Sequence, residues 1–127
     1  MTKLSQESVA YIGARSADIV TPATGIYVSV GTARRIYAAA IAAAALGSGK
    51  TLTVQLKQAT DSSGTSAKNL GSAVTVAEPT VPVEAEAFAD QLDTANGFGY
   101  VAVTISSNNG SAVAGAAVLL LDQNRYN

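Results

Sequence analysis

Residues Thr51–Gln58 (TLTVQLKQ) alternate without a break, with Leu52, Val54 and Leu56 on one side and Thr53, Gln55 and Lys57 on the other. A helix would spread those three aliphatic side chains around its axis, whereas a strand lines them up and leaves the polar set in water. The stretch therefore predicts a half-buried strand, and with it a second sheet to bury against.

The same period recurs along the chain. Tyr100–Ser106 puts Val101, Val103 and Ile105 on one face, and Gly25–Gly31 reads as another strand. Ala73–Ala77 is a short strand, cut off by EPTVP because Pro79 and Pro82 have no N–H for a ladder. Val113–Leu121 is apolar on both faces from Val118 to Leu121, the pattern of a strand central to the core. Between it and the Tyr100 strand, Asn109-Gly110 predicts a tight two-residue hairpin. Two stretches fit either helix or strand. Tyr37–Leu46 is alanine-rich, and the flanking strand signals favour a strand, with LGSGK as a hairpin connection into Thr51. Val83–Leu92 alternates Val83, Ala85 and Ala87 with Glu84, Glu86 and Phe88, which favours a strand running into a short turn. Seven or so strands predict an all-β fold, a single-domain antiparallel β-sandwich or jelly-roll-like barrel over residues 26–127. Residues 1–25, polar and with Pro22 near the boundary, are expected to form an N-terminal arm, extended and ordered on binding a neighbour.

A chain of 127 residues buries enough surface to hold a core without cross-links. It has neither Cys nor His, which removes disulfides, thiolate and imidazole metal ligands, and the Ser-His-Asp and Cys-His nucleophiles. No metal and no cofactor are expected. The apolar run Ile36–Leu46 is too short to span a bilayer, so no membrane partner is expected and the chain reads as a soluble product of the cytoplasm.

Gly49-Lys50-Thr51 is the tail of a phosphate-binding loop, yet Ala44 stands where the first glycine belongs. Such a loop must also open a helix, whose N–H groups converge on the phosphate; the alternation after Lys50 sends them sideways into a sheet. Ser48 with Lys50 would need a desolvated lysine, and the flanking glycines suggest a wet loop. Glu84 and Glu86 share a face about 7 Å apart in an extended chain, but their neighbourhood lacks the apolar enclosure that raises one acid of a glycosidase pair. Asp93–Gly97 (DTANG) lacks most calcium-loop ligand positions and reads as a turn. Arg34-Arg35 is the one basic doublet, too little for nucleic acid in a chain of net charge −1. The charges are nevertheless sorted. Residues 1–68 carry seven Lys or Arg against Glu7, Asp18 and Asp61, a net +4; residues 69–127 carry Arg125 against six acids, a net −5. That sorting makes Arg34, Arg35, Glu84, Glu86 and Asp90 candidates for contacts between subunits of an assembly.

Three segments taken in order add a likeness: TLTVQLKQATDSSGTSAKNLG, FADQLDTANGFGYVAVTIS and the terminal AAVLLLDQNRYN. Over residues 26–127 the chain resembles small structural proteins of tailed-bacteriophage virions, in which a strand ends in a Gln-x-(Thr/Ser)-Asp turn. A Leu-Asp turn, a Tyr-Val-x-Val strand and a closing apolar strand ending in Arg-Tyr follow in that order. The resemblance implies a non-enzymatic capsid cement or decoration protein, made in the host cytoplasm and carried on the virion surface. Its implied partners are the major capsid protein and itself, as a homotrimer. A head–tail or tail-associated component, or a displayed β-sandwich that binds host glycan or protein, are the other readings.

Overall fold

The computed structural model describes residues 8–122, with side chains described from Gly13 onward. Its strands are β1 (Ser8–Ser16), β2 (Ala23–Thr24), β3 (Val28–Ser29), β4 (Arg35–Ala42), β5 (Thr51–Ala59), β6 (Lys68–Asn69), β7 (Val74–Ala77), β8 (Val83–Phe88), β9 (Tyr100–Ser107) and β10 (Gly115–Asp122). Two antiparallel sheets face each other. One has the order β1-β10-β4-β8; in the other, β9 and β5 pair centrally, β2 and β3 extend β9, and β6 and β7 extend β5. With the short pieces merged in pairs, eight strands remain and the chain changes sheet at every step but β5 to β6–β7. That is the strand order of a jelly roll, which closes two sheets over one core and leaves few open edges.

The core is the seam between the sheets. Leu52, Val54 and Leu56 of β5 and Val101, Val103 and Ile105 of β9 are buried against Ile36, Ala38 and Ala40 of β4 and Leu119 and Leu121 of β10. Alternation in β5 and in Val83–Phe88 survives intact, each reading buried and less buried in turn. The alanine-rich stretch is a strand, as its neighbours suggested. Alanine favours a helix by only a few tenths of a kcal/mol per residue, and ladders to β10 and β8 on either side outweigh that. Its small side chains let the two sheets approach closely.

Two connections differ from the sequence reading. Asn109-Gly110 does not make a hairpin, because β9 and β10 lie in different sheets. The loop crosses the end of the sandwich, where Asn108 accepts from the Thr51 N–H and Asn109 from the Gly47 N–H, both at 2.8 Å. LGSGK likewise crosses from β4 in one sheet to β5 in the other. Local turn chemistry was present in both, but a jelly roll pairs strands distant in sequence. Of Gly25–Gly31, only Val28–Ser29 is a strand.

The segment expected as an arm is also different. Residues 1–7 lie outside the described residues, but β1 pairs with β10 on both sides of an irregularity between Ile12 and Arg15, and Ile19 is fully buried. The reason is a close crossing of backbones. A Cβ on Gly25 would stand 2.0 Å from the Gly13 carbonyl oxygen, and the Gly25 N–H donates to Val103 O at 3.0 Å. Only glycine permits that approach, so the chain after β1 folds down into the core instead of leaving it.

Gly25→Ala is therefore expected to lower the urea-unfolding free energy by about 3 kcal/mol or more, as an overpacked site that cannot relax. Gly99→Ala, where an added Cβ meets nothing within 4 Å, serves as the control and is expected to change it by less than about 1 kcal/mol.

Candidate functional site

Lys50 sits in the loop that leads into β5, and Thr51 begins a strand whose amides enter ladders with β7 and β9. The Gly49 N–H, the amide a phosphate would want, donates instead to the Glu78 carboxylate at 2.9 Å, and the Glu78 N–H donates back to Lys50 O. The loop is closed by an acid of its own chain. That arrangement repels an anion.

The charged candidates gather at one corner of the β1-β10-β4-β8 sheet. Arg35 opens β4, and register places Tyr37 opposite Glu86 on β8 and Leu120 on β10. Arg35 reaches Glu86 at 3.1 Å and Asp122 at 3.6 Å, all three partly solvent-exposed. Exposed pairs of this kind contribute about 0–1 kcal/mol each. Next along the face, the Tyr37 hydroxyl donates to Glu84, and that bond first, with burial and the carboxylate charge, raises the phenol above its ordinary 10.0. Arg34, Arg35, Phe88, Ala89, Asp90 and Asp122 line an open cleft of about 640 Å³ at this corner. Glu84 and Glu86 do share a face, both outward and exposed. So the structure brings all five candidates to one region, with Arg35 meeting Glu86 within a single chain.

Sequence reasoning missed a second cluster. Gln58, buried, accepts from the Asp93 N–H at 2.9 Å and donates to Asn69 O at 3.0 Å. Lys68 pairs with Asp93 at 2.6 Å and lies 4.3 Å over the Phe98 ring. Asp61 accepts from the Ser63 and Thr65 N–H groups and from the Thr65 hydroxyl. These are residues of the Gln-Ala-Thr-Asp and Leu-Asp turn motifs. Their side chains tie the β5–β6 turn to the turn before β9, so the motifs carry architecture and not chemistry. The signal was a polar residue, Gln58, at the next inward position of a strand.

The two outer faces of the sandwich contrast sharply. On the β5–β9 sheet, Thr53, Gln55, Lys57, Thr104 and Ser106 point outward, with Thr53 bonded to Thr75 and Thr24 to Thr104. On the other sheet the outward positions of β4 and β10 beyond the charged corner are Ala39, Ile41, Ala116, Val118 and Leu120. Ile41 is 53% exposed, Val118 49% and Phe88 51%. An antiparallel sheet that faces water carries polar residues there; the second sheet does so at its charged corner but is apolar outward over the rest of β4 and β10.

No group of three or more His, Cys, Asp or Glu among the described residues could hold a metal ion. Among them, too, no helix is long and apolar enough to cross a membrane.

No protein-family model matches the chain, and no curated protein sequence matches it either. Some solved structures resemble it in fold, at TM-scores below 0.5. One is a carbohydrate-binding module, CBM28, specific for non-crystalline cellulose (TM-score 0.43, 8% identity, 91% of this chain and 70% of that one). Another is the Clostridium thermocellum xylanase 10B CBM22-1–GH10 structure (0.47, 8%, 94% and 26%). A third is a chain of infectious bursal disease virus, Gx strain (0.42, 9%, 94% and 30%). All are likenesses of fold alone.

Acid dependence tests the turn cluster. Lys68 holds the Asp93 carboxyl below its ordinary 3.8 by a direct hydrogen bond, with Asn96 adding to it; hydrogen bonds from Thr65 do the same for Asp61. A carboxyl depressed in the folded state stabilises fully above its unfolded value and stops doing so as pH falls through the folded one. The urea midpoint is therefore expected to drop below about pH 4, and Asp93→Asn to flatten that drop while already lowering the midpoint at pH 7. An unchanged slope in D93N would remove Asp93 from the account.

Proposed function

We propose that the chain is a non-enzymatic structural protein of a phage virion, one that binds the capsid shell and stabilises it as a cement or decoration protein. The observation that carries the reading is the apolar outward patch on β4 and β10 around Ile41 and Val118, the kind of surface that marks contact with another macromolecule. The segments resembling phage structural proteins supply β5, the turns that Gln58 and Asp93 lock, β9 and β10. The jelly-roll order adds support at the level of analogy, since capsid and lectin domains both use it.

A cement protein needs stiffness and complementary surfaces, not a titrating group. The charged corner of Arg34, Arg35, Glu84, Glu86 and Asp90 supplies polar contacts to neighbouring shell subunits. Each contact is weak, and repetition over a symmetric shell multiplies them. Purified protein is expected to bind expanded phage heads saturably and to raise their disruption temperature, with Arg35→Glu weakening binding severalfold at low salt. Failure to bind any head under any salt condition overturns the proposal.

A further inference from the structure

We propose that Asn109 is a site of self-modification. The Gly110 backbone nitrogen attacks the Asn109 side-chain carbonyl carbon and expels ammonia, and the aspartyl or isoaspartyl product loosens one end of the sandwich. Water is the only co-reactant, and the inference stands apart from any role on a virion.

Two Asn-Gly pairs lie in described loops, Asn96-Gly97 before β9 and Asn109-Gly110 after it. A following glycine makes the attack feasible, because no Cβ shields its nitrogen from the asparagine side chain. The first pair is held shut. Gly97 ends the 3-10 turn Thr94–Asn96, and its N–H donates to Thr94 O at 3.0 Å. The Asn96 side-chain amide donates to both Asp93 carboxylate oxygens, at 3.0 and 2.9 Å. Attack there gives up a backbone hydrogen bond and builds an oxyanion beside an acid.

The second pair is open. Among the described residues the exposed Gly110 donates its N–H to no acceptor, and a Cβ built on it meets nothing within 4 Å. Asn109 Oδ1 accepts from the Gly47 N–H at 2.8 Å, which draws electron density off the carbonyl carbon. As the nitrogen adds, negative charge grows on Oδ1, and the Gly47 amide already points at it, like one donor of an oxyanion hole. The bond from Gly110 N to Cγ forms and the Cγ–Nδ2 bond breaks. Nδ2 leaves as ammonia with the proton that Gly110 N carried. Water then opens the cyclic imide at either carbonyl, giving aspartate or, with the main chain rerouted through Cγ, isoaspartate.

The product undoes a clasp. Asn109 on the Gly47 N–H and Asn108 on the Thr51 N–H tie the β9–β10 loop to the β4–β5 loop. Before reaction, Asn109 Nδ2 also donates to Ser111 O at 2.9 Å. Aspartate puts a carboxylate oxygen in that place, so two acceptors face each other and the donor is lost. Isoaspartate lengthens the backbone by a methylene and leaves the carboxylate directly on Cα, short of Gly47.

Ageing the unaltered full chain in mildly alkaline buffer, followed by peptide mapping with mass spectrometry and an isoaspartate assay, tests this. In the folded chain Asn109 is expected to convert about fivefold faster than Asn96, the hydrogen bond that Gly97 must give up expressed as a rate. In guanidinium, where both loops are undone, the two pairs should convert at like rates. Gly110→Ala, at an open position with no left-handed backbone angle, should slow conversion at Asn109 at least about tenfold and leave Asn96 unchanged. Aged unaltered protein and fresh Asn109→Asp should both show a lower urea midpoint, while aged Gly110→Ala keeps its starting value. Conversion at Asn96 first or at an equal rate in the folded chain, a gap that persists in guanidinium, or no conversion at Asn109 overturns the inference. A midpoint that ignores complete conversion overturns the clasp.

Discussion

The sandwich depends on where β10 lies. Hydrogen-bonded to β1 on one side and β4 on the other, it turns Ala117, Leu119 and Leu121 onto β9 and β5 and closes the core. Hydrophobic burial between the sheets is the dominant favourable term here, and the sequence has no cysteine for a disulfide to add to it. Among the described residues, Phe98 is the one aromatic in the buried hydrophobic set, so packing rests on aliphatic and alanine side chains. The backbone crossing of Gly13 and Gly25 follows from that spacing, since β1 must reach the edge beside β10 without a side chain in the way.

What the sequence made legible was local. The alternation of Thr51–Gln58 and of Tyr100–Ser106 survives as β5 and β9, and Val83–Leu92 is a strand followed by a 3-10 turn at Ala89–Gln91. The extended run after Lys50 was readable for the same reason: period two leaves no helical alternative. What was not legible was which strands pair. Asn109-Gly110 has the chemistry of a hairpin, yet it bridges two sheets, because a jelly roll satisfies β9 and β10 with partners remote in sequence. Burial of the 13–25 segment was hidden for a related reason. Two of its apolar residues, Ala14 and Ile19, enter the core beside a glycine crossing that no periodicity records.

The site was legible in part. Spacing alone put Glu84 and Glu86 on one face, and charge sorting pointed to Arg34 and Arg35; β4–β8 pairing then brings Arg35 onto Glu86. The apolar character of Val118–Leu121 on both sides was visible too. Read as a strand, it implied burial twice over, and the fold supplies a neighbour for only one side. That surplus hydrophobic face is what separates this scaffold from a purely solvent-facing one, and it underlies the proposed shell role.

β10 pairs with β4 and β1, so that its two apolar faces look in opposite directions, inward to the core and outward from the sandwich. Cross-strand backbone NOEs in a uniformly labelled sample test it directly. Contacts from Leu119 to Ala38 and to Tyr11, and from Leu121 to Ile36, are expected. A ladder of contacts joining β10 to β9 in register about Asn109-Gly110 would contradict it.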